Sequence, residues 1–494
     1  MDIAAHFPVL VIVIPLITAL IIPLAGRINR SYAWYIALAV TFLCFLMSAS
    51  LLNTVINTGR ISYRLGGWEP PWGIEYVIDY LNGFVLVVVS FIAFIITIYS
   101  KKSAEQEIEN SRIHIFYSIY VLFFTGLMGV TITGDIFNIY VFIEIMSLAS
   151  YALIAVGKKR NALVASYNYL ILGTIAATFI LLGIGYLYMI TGSLNIGDLR
   201  ERLPQLYHSK VVLTAFALFT VGLSLKLALF PLHAWLPNAY SHAPSVVSAL
   251  MAATATKVGA YAMLRIMFTV FKVEFDIQVV PVTKILLVLA CIAIIAGSVL
   301  AIAQTNMKRM LAYSSVGQIG YIVLGAMLVN QTAMTGSILH ILNHALMKGA
   351  LFLVVGCVIY KTGIEDISGL KGMGKKMPYS MAAFTIAGLS MIGTPLTVGF
   401  VSKWYLAIGA LKADMWYIIP VILLSSLLTA VYFWRIIEMI YFYKGSDKEA
   451  YNDAPAGMLM PTLILAGLCV FFGIAAFIPV SIAKKAAEML LGGI

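Results

Sequence analysis

About fourteen stretches of roughly 20 apolar residues follow one another along this chain, separated by short polar loops. A helix of about 20 residues rises about 30 Å, the thickness of the hydrocarbon core of a bilayer. The stretches begin near residues 8, 31, 80, 113, 134, 163, 211, 243, 281, 309, 335, 378, 415 and 457. Because 62% of the residues are hydrophobic and only 11% are charged, a soluble globular protein is excluded. The sequence predicts an all-α polytopic membrane protein with about 14 transmembrane helices.

The polar loops are too short to hold a hydrophobic core of their own, so we expect a single membrane domain over residues 1–494. Within it we distinguish three N-terminal helices in residues 1–112 and two five-helix units in residues 113–271 and 281–443. A C-terminal helix is expected in residues 457–494.

Prolines interrupt two of the predicted spans. Pro231 lies in the seventh span, in LKLALFPLHAWLP, and Pro395 lies in the twelfth, in IGTPLTVGFVSKW. A proline alone can simply kink a helix, but each of these lies within a few residues of a lysine, Lys226 or Lys403. Because the two breaks are an odd number of spans apart, the two five-helix units would cross the membrane in opposite senses. Inverted repeats with paired broken helices are typical of transporters.

Lysine and arginine are more frequent in every second loop. The positive-inside rule therefore predicts that these loops face the cytoplasm of a prokaryotic cell and that both termini lie outside. The loops concerned begin at Arg27, Lys101, Lys158, Lys308, Lys361 and Lys444. The net charge of +11 is thus explained by topology, and we expect no nucleic-acid partner.

Charged residues lie deep within several apolar spans. Glu144, Lys226, Lys257 and Lys403 are the clearest cases. Since each lysine at the centre of a bilayer costs about 3 kcal/mol, a proton or ion pathway is the default interpretation. Glu144 is the natural partner of Lys226, and an ion pair between them would keep the lysine protonated. We interpret this pair as a switch for proton release, whereas Lys257 has no carboxylate near it in the sequence.

The eleventh span contains His340, His344 and Lys348, spaced at i, i+4 and i+8 in HILNHALMKGALF. This spacing places all three on one helical face. Histidine exchanges protons near neutral pH, so the row suits a proton relay. Interhelical hydrogen bonding is the alternative, while a metal site lacks a nearby third ligand. We expect Arg265, in the eighth span, to reach its charge out to the membrane interface.

The four cysteines are isolated within apolar spans, without the CxxC spacing of metal or iron–sulfur ligands. We therefore expect no metal site and no cofactor. The paired broken helices and the buried charges favour a transporter subunit rather than an enzyme.

Several long motifs resemble those of one protein family. They are, in order, IDYLNGF, the segment around Glu144, LKLALFPLHAWLPNAY, HAPSVVSALMAATATKVGAY, MKRMLAYSSVGQIGY, HILNHALMKGALF and GTPLTVGFVSKW. The chain resembles the antiporter-like subunits shared by Mrp-type Na+/H+ antiporters, complex I and membrane-bound hydrogenases. Its length and the stretches GGWEPPWGIEYVIDYLNGF and FVSKWYLAIGAL are most similar to the D subunit of the Mrp antiporters.

The resemblance implies fourteen helices with two inverted five-helix repeats, and a set of proton-transfer residues. By position, these residues are Glu144, Lys226, Lys257, His340, His344, Lys348 and Lys403. It also implies partner membrane subunits in a hetero-oligomeric complex that exchanges protons for Na+. Three alternatives stay open: a redox-driven proton pump of the hydrogenase or complex I type, a non-conducting membrane scaffold, and a stand-alone symporter for a small solute.

Overall fold

The computed structural model describes residues 3–278, 281–444 and 451–492, most of which are helical. Thirteen of the described helices are long and apolar enough to cross a membrane. The other predicted span, the twelfth, consists of two helices of 15 residues each, Pro378–Ile392 and Val398–Lys412. Together they account for all fourteen spans, so the predicted all-α membrane fold is confirmed.

The helices of the spans are, in chain order, Phe7–Ile28, Arg30–Thr58, Tyr80–Glu107, Ile113–Ile132, Ile136–Ala155, Arg160–Thr191, Lys210–Leu227 with Trp235–His242, Ser245–Ala253 with Ala255–Arg265, Val282–Ile302, Met307–Met327, Gln331–Thr362, Pro378–Ile392 with Val398–Lys412, Ile418–Tyr441 and Ala456–Ile474. Shorter helices or helical turns are Ile3–His6, Leu65–Gly67, Asn110–Arg112, Ile196–Arg202, Leu203–Leu206, Ile266–Val270, Lys272–Gln278, Ile367–Leu370, Met373–Lys376 and Phe477–Leu491.

Both predicted helix breaks are present. The seventh span stops at Leu227, where Ala228 takes a left-handed conformation (φ 59°), and Pro231 lies in the non-helical stretch that follows. The first half of the twelfth span ends at Ile392, and Pro395 lies in the non-helical stretch between the two halves. A hydrogen bond spans the first break: the indole Nε1 of Trp235 donates to the Leu225 carbonyl at 2.9 Å.

The C-terminal segment differs from the expected single helix over residues 457–494. It forms two helices, Ala456–Ile474 and Phe477–Leu491. Just before the break, the backbone at Gly473 passes so close to Leu396 that a Cβ on the glycine would lie 2.3 Å from the Leu396 carbonyl oxygen. The chain turns where it meets the broken part of the twelfth span, a contact that hydropathy does not encode.

The eighth and eleventh spans form the centre of the molecule. Their most apolar windows are wholly buried, whereas those of the first, thirteenth and fourteenth spans are only one-third buried. An interior helix surrounded by other helices can hold polar groups away from lipid. The predicted site residues Lys257, His340, His344 and Lys348 all lie on these two central helices.

One end of the molecule, here called the hairpin side, carries two short antiparallel strands, β1 (Ile61–Arg64) and β2 (Glu75–Ile78). Glu75 is buried and accepts hydrogen bonds from Ser62 (2.6 Å) and Asn195 (2.8 Å). Asp79 caps the third span, accepting from the backbone N–H of Leu81 at 3.0 Å. The loop 192–209 lies at the same end, because successive spans alternate in direction.

The opposite end, here called the basic side, holds the loops that we expect in the cytoplasm. Lys159 forms an ion pair with Glu365. Burial opposes ionisation of Glu365, but the contacts with Lys159, Lys308 and Asn306 together outweigh it, so the pKa of this carboxyl is lower than usual. Lys308 is buried and donates to the Ala243 carbonyl at 2.9 Å. These contacts tie together loops that are distant in the sequence.

Candidate functional site

The predicted pair of Glu144 and Lys226 is present, but it is loose. The Lys226 Nζ lies 3.7 Å from the Glu144 carboxylate, and it donates a shorter hydrogen bond of 2.7 Å to the Ser147 hydroxyl. The Lys226 side chain is 2% exposed and that of Glu144 is 24% exposed. Because Ser147 lies one turn after Glu144 on the fifth span, both acceptors are presented from one helical face. The ammonium therefore has a charged acceptor and a neutral acceptor within reach.

The position of Lys226 follows from the break in the seventh span. It is the last residue but one of the helix Lys210–Leu227, two residues before the left-handed residue Ala228. A cation near a helix C-terminus is stabilised by the helix dipole and the unbonded carbonyl groups there. The broken helix thus helps to hold a buried ammonium group in place.

Lys257 lies beside a third helix break, which the sequence analysis did not predict. The eighth span is interrupted at Thr254, whose backbone departs from helical geometry (φ −126°, ψ −56°). The fully buried Lys257 donates to the carbonyl of Ala252, across this break. No proline or glycine marks Thr254, so the usual sequence signals of a break are missing.

His340 is buried and hydrogen-bonded on both ring nitrogens. Its Nδ1 lies 2.9 Å from the Ser402 hydroxyl and its Nε2 lies 2.9 Å from the Gln318 amide oxygen. A neutral ring with its proton on Nε2 satisfies both contacts, since Nε2–H donates to Gln318 and Nδ1 accepts from Ser402. His340 therefore joins the tenth, eleventh and twelfth spans.

His344 is also fully buried, yet neither of its ring nitrogens has a hydrogen-bond partner among the described residues. Its ring is 6.1 Å from that of His340, centroid to centroid. The charges of the Lys257 and Lys348 side chains act on this ring. A buried polar group without a protein partner is commonly bonded by water. His344 marks the point where the eighth and eleventh spans bring their lysines together.

Lys348 is held by the tenth span. Its Nζ donates to the Leu311 carbonyl at 2.8 Å and to the Ser314 hydroxyl. Both acceptors are neutral, and no carboxylate forms an ion pair with Lys348 in the part of the chain that the structure describes.

Lys403 links the two halves of the broken twelfth span. It lies on the second half, and its Nζ donates to the last carbonyls of the first half, those of Met391 (3.1 Å) and Ile392 (2.9 Å). A third bond, of 3.0 Å, reaches the Ser426 hydroxyl, and the ammonium lies 5.1 Å from the centre of the Tyr321 ring. All three ammonium protons are thus used by hydrogen bonds.

Four of the predicted residues, Lys226, His340, Lys348 and Lys403, hydrogen-bond to neutral polar side chains that sequence reasoning missed. These side chains are Ser147, Ser314, Gln318, Ser402 and Ser426. Because hydroxyl and amide residues occur throughout the spans, their presence alone does not identify them as part of the site. Only their spacing from Glu144, His340 and Lys403 could have indicated them. No group of three or more His, Cys, Asp or Glu side chains that could hold a metal ion occurs among the described residues.

Comparison with known proteins identifies the family. The family model described as NADH:quinone oxidoreductase/Mrp antiporter, TM, matches residues 133–429. The N subunit of the NADH-quinone oxidoreductase of Desulforudis audaxviator is 45% identical over 476 residues, covering 93% of this chain and 94% of the relative. The D subunit of the Na(+)/H(+) antiporter of Bacillus subtilis is 30% identical over 489 residues, covering 98% of this chain and 97% of the relative.

The fold is shared with a solved structure, a chain of the Mrp complex from Dietzia sp. DQ12-45-1b. The TM-score is 0.92 at 24% sequence identity, covering 99% of this chain and 98% of that one. The family model covers more than half of this chain and the relatives align over nearly all of it, so the chain belongs to the NADH:quinone oxidoreductase/Mrp antiporter family of membrane proteins.

Proposed function

We propose that this chain is the proton-translocating subunit of a multisubunit monovalent cation (Na+)/proton antiporter. Protons pass along a buried row of titratable side chains. The row consists of Glu144, Lys226, Lys257, His340, His344, Lys348 and Lys403.

One observation carries this proposal: the four lysines of this row are held by neutral oxygen atoms, and among these four only Lys226 lies within 4 Å of a described carboxylate. A buried charge without a counterion is expensive, and placing like charges side by side adds to the cost. A proton arriving at one lysine therefore favours loss of the proton from its neighbour. Structural lysines that only hold helices together would instead be paired with carboxylates.

The Glu144–Lys226 pair is the proposed switch. At 3.7 Å the carboxylate stabilises the ammonium, while the Ser147 hydroxyl accepts its hydrogen bond whether or not Glu144 stays nearby. If another charge draws Glu144 away, Lys226 loses its counterion and releases its proton toward the central row. The partial exposure of Glu144 gives its side chain room to move.

The central section relays the proton through water. His344 has two ring nitrogens without partners among the described residues, and the charges of both Lys257 and Lys348 act on it. Water molecules bonded to these nitrogens would connect the two lysines. His340 and Ser402 continue the row to the twelfth span, where Lys403 follows Ser402 in the chain.

The exchanged metal cation is proposed to cross elsewhere in the complex. Na+ prefers several oxygen ligands, whereas the interior of this chain presents ammonium groups that repel cations. The name of the Bacillus subtilis relative supports Na+ as the exchanged ion, and the Dietzia complex supports assembly with other membrane subunits.

A second candidate is the same proton relay driven by redox chemistry. The 45% identity to the N subunit of an NADH-quinone oxidoreductase favours it, since the Bacillus subtilis antiporter relative is 30% identical. In both cases this chain would move protons as a transporter subunit, and only the energy source differs.

Transport by the assembled complex in inside-out vesicles tests both candidates. We expect the variant Lys257→Met to lose proton transport while the complex stays intact on gel filtration. Lys284→Met, an exposed lysine of the ninth span, is the matched control and should transport normally. Normal transport by Lys257→Met would support the scaffold alternative and end the proposal.

The driving force separates the two candidates. An imposed Na+ gradient should drive proton movement in the antiporter. If only an electron donor does so, the redox-driven candidate is correct.

A further inference from the structure

A polar cavity of about 570 Å³ opens on the hairpin side, and none of the residues of the proposed relay is among those that line it. It is enclosed by β2, the start of the third span, the loop 192–209, the end of the eighth span and the C-terminal helix. Its charged lining residues are Arg60, Glu75, Asp79, Arg200, Arg265, Lys485 and Glu488. With four cations and three carboxylates, the lining is nearly balanced in charge. Such a cavity is large and polar enough to hold many water molecules.

A buried ion pair forms the inner wall of this cavity. Arg265 contacts Asp79 at 2.8 Å and 3.0 Å, and both side chains are less than a tenth exposed. The charge of Arg265 is thus met by Asp79, at the start of the third span, a partner that the sequence analysis did not name. Its Nε also donates to the Tyr261 hydroxyl at 3.2 Å.

Tyr261 separates the cavity from the centre of the membrane. Its hydroxyl donates to the Thr131 carbonyl at 2.8 Å, and its side chain forms part of the cavity wall. Lys257, Tyr261 and Arg265 follow one another at i, i+4 and i+8, so they lie along one face of the eighth span. Four residues of helix rise about 6 Å. The cavity thus reaches to within about one helical turn of Lys257.

The Lys257 ammonium is turned away from the cavity, since it donates to the carbonyl of Ala252, five residues earlier. A lysine head group on a flexible four-carbon stem can move to a new partner without any backbone shift. The break at Thr254 lies between Ala252 and Lys257, and it interrupts the regular helix there.

We propose that this cavity is the opening through which Lys257 exchanges protons with the compartment on the hairpin side. Lys257 faces Ala252 when it takes a proton from the central row and faces Tyr261 when it gives the proton up. In the second position the ammonium transfers one proton to a water molecule of the cavity. The hydronium ion that forms leaves through the charged mouth, and the neutral amine returns. This proposal rests on the proposed function, because it names the exit from the relay, which the proposed function does not assign.

Blocking the cavity tests the proposal. Thr269 lines it, and the variant Thr269→Cys would be labelled with an impermeant trimethylammonium thiosulfonate reagent in the assembled complex. Thr54→Cys is the control, since Thr54 is exposed at the same end of the molecule but lines a different, smaller cavity of about 250 Å³. Each variant is compared with itself before labelling, and the extent of labelling is measured by mass spectrometry.

We expect labelled Thr269→Cys to transport protons about tenfold more slowly, as a fixed positive charge about 10 Å from the path would cause at an effective dielectric constant of about 20. Labelling of Thr54→Cys should leave the rate unchanged. Both cysteines should react only from the same side of the vesicle.

Complete labelling of Thr269→Cys without any loss of transport would overturn this exit, provided that Lys257→Met is inactive. If Lys257→Met also transports normally, the proposed function fails together with it.

Discussion

The Lys226 ammonium donates its shortest hydrogen bond, 2.7 Å long, to the hydroxyl of Ser147. The carboxylate of Glu144, the expected partner, is a full ångström farther away. A neutral hydroxyl that holds the ammonium lets the carboxylate approach and withdraw without leaving the buried charge unbonded. The switch thus depends on a residue that carries no charge.

Removing this hydroxyl should therefore weaken the switch. A hydrogen bond from a charged donor contributes about 1.5–3 kcal/mol, so we expect Ser147→Ala to slow proton transport by roughly tenfold or more. Ser150→Ala is the control, because Ser150 is buried on the same helix and its hydroxyl bonds to the backbone of Ser147 rather than to Lys226. Initial rates of proton uptake in vesicles are the measurement, and equal rates in the two variants would contradict the assigned role of Ser147.

The two central histidines should respond differently to replacement by phenylalanine. His340→Phe leaves the buried Gln318 and Ser402 without their partner, so we expect the complex to be destabilised by about 1–3 kcal/mol. His344→Phe breaks no described hydrogen bond and should leave stability nearly unchanged. Both variants should nevertheless lose proton transport. Thermal unfolding measured beside transport separates the two effects, and normal transport by His344→Phe would exclude a relay through this residue.

Gly399 allows the two halves of the twelfth span to cross. A Cβ at this position would lie 1.8 Å from the Ser390 carbonyl oxygen, so Gly399→Ala must force the halves apart. We expect a loss of about 1–3 kcal/mol in stability, as is typical of overpacking, together with reduced transport. Gly467→Ala is the control, since no atom lies within 4 Å of the Cβ it would add. Similar melting temperatures for the two variants would contradict this packing.

The charge of Lys403 should be needed beyond its ability to form hydrogen bonds. We expect Lys403→Gln to assemble but to lose proton transport, because an amide can donate to the Ile392 carbonyl but cannot carry a proton. Lys412→Gln, an exposed lysine of the same helix, should transport at the normal rate. The measurement is proton pumping followed with a pH-sensitive dye. If Lys403→Gln remained active, this lysine would have only a structural role.

Hydropathy was sufficient to predict the fourteen spans, and Pro231 and Pro395 were sufficient to predict two of the breaks, because both signals are local. The break at Thr254 has no such local signal, and it becomes visible only with the contact between Lys257 and Ala252. The ion pair of Arg265 was missed for a related reason. Its partner Asp79 lies 186 residues earlier in the chain, and nothing in the local sequence indicates that the two meet.

The candidate site shows the same contrast between residues that a local signal predicts and residues that only long-range packing reveals. Buried charges such as Lys403 stand out in an apolar sequence, whereas their hydroxyl partners do not. Ser426 and Ser147 resemble the many serines that bond only to their own helix, and only the packing of the spans distinguishes them.

The three bonds of Lys403 couple its charge to the backbone. An ammonium group has three N–H donors, and they go to Met391, Ile392 and Ser426. A neutral amine has two, so departure of the proton leaves one of these oxygens without its donor. The crossing point of the two half-helices therefore loosens when the proton leaves and tightens when one arrives. The packing of the twelfth span thus depends on whether Lys403 is protonated.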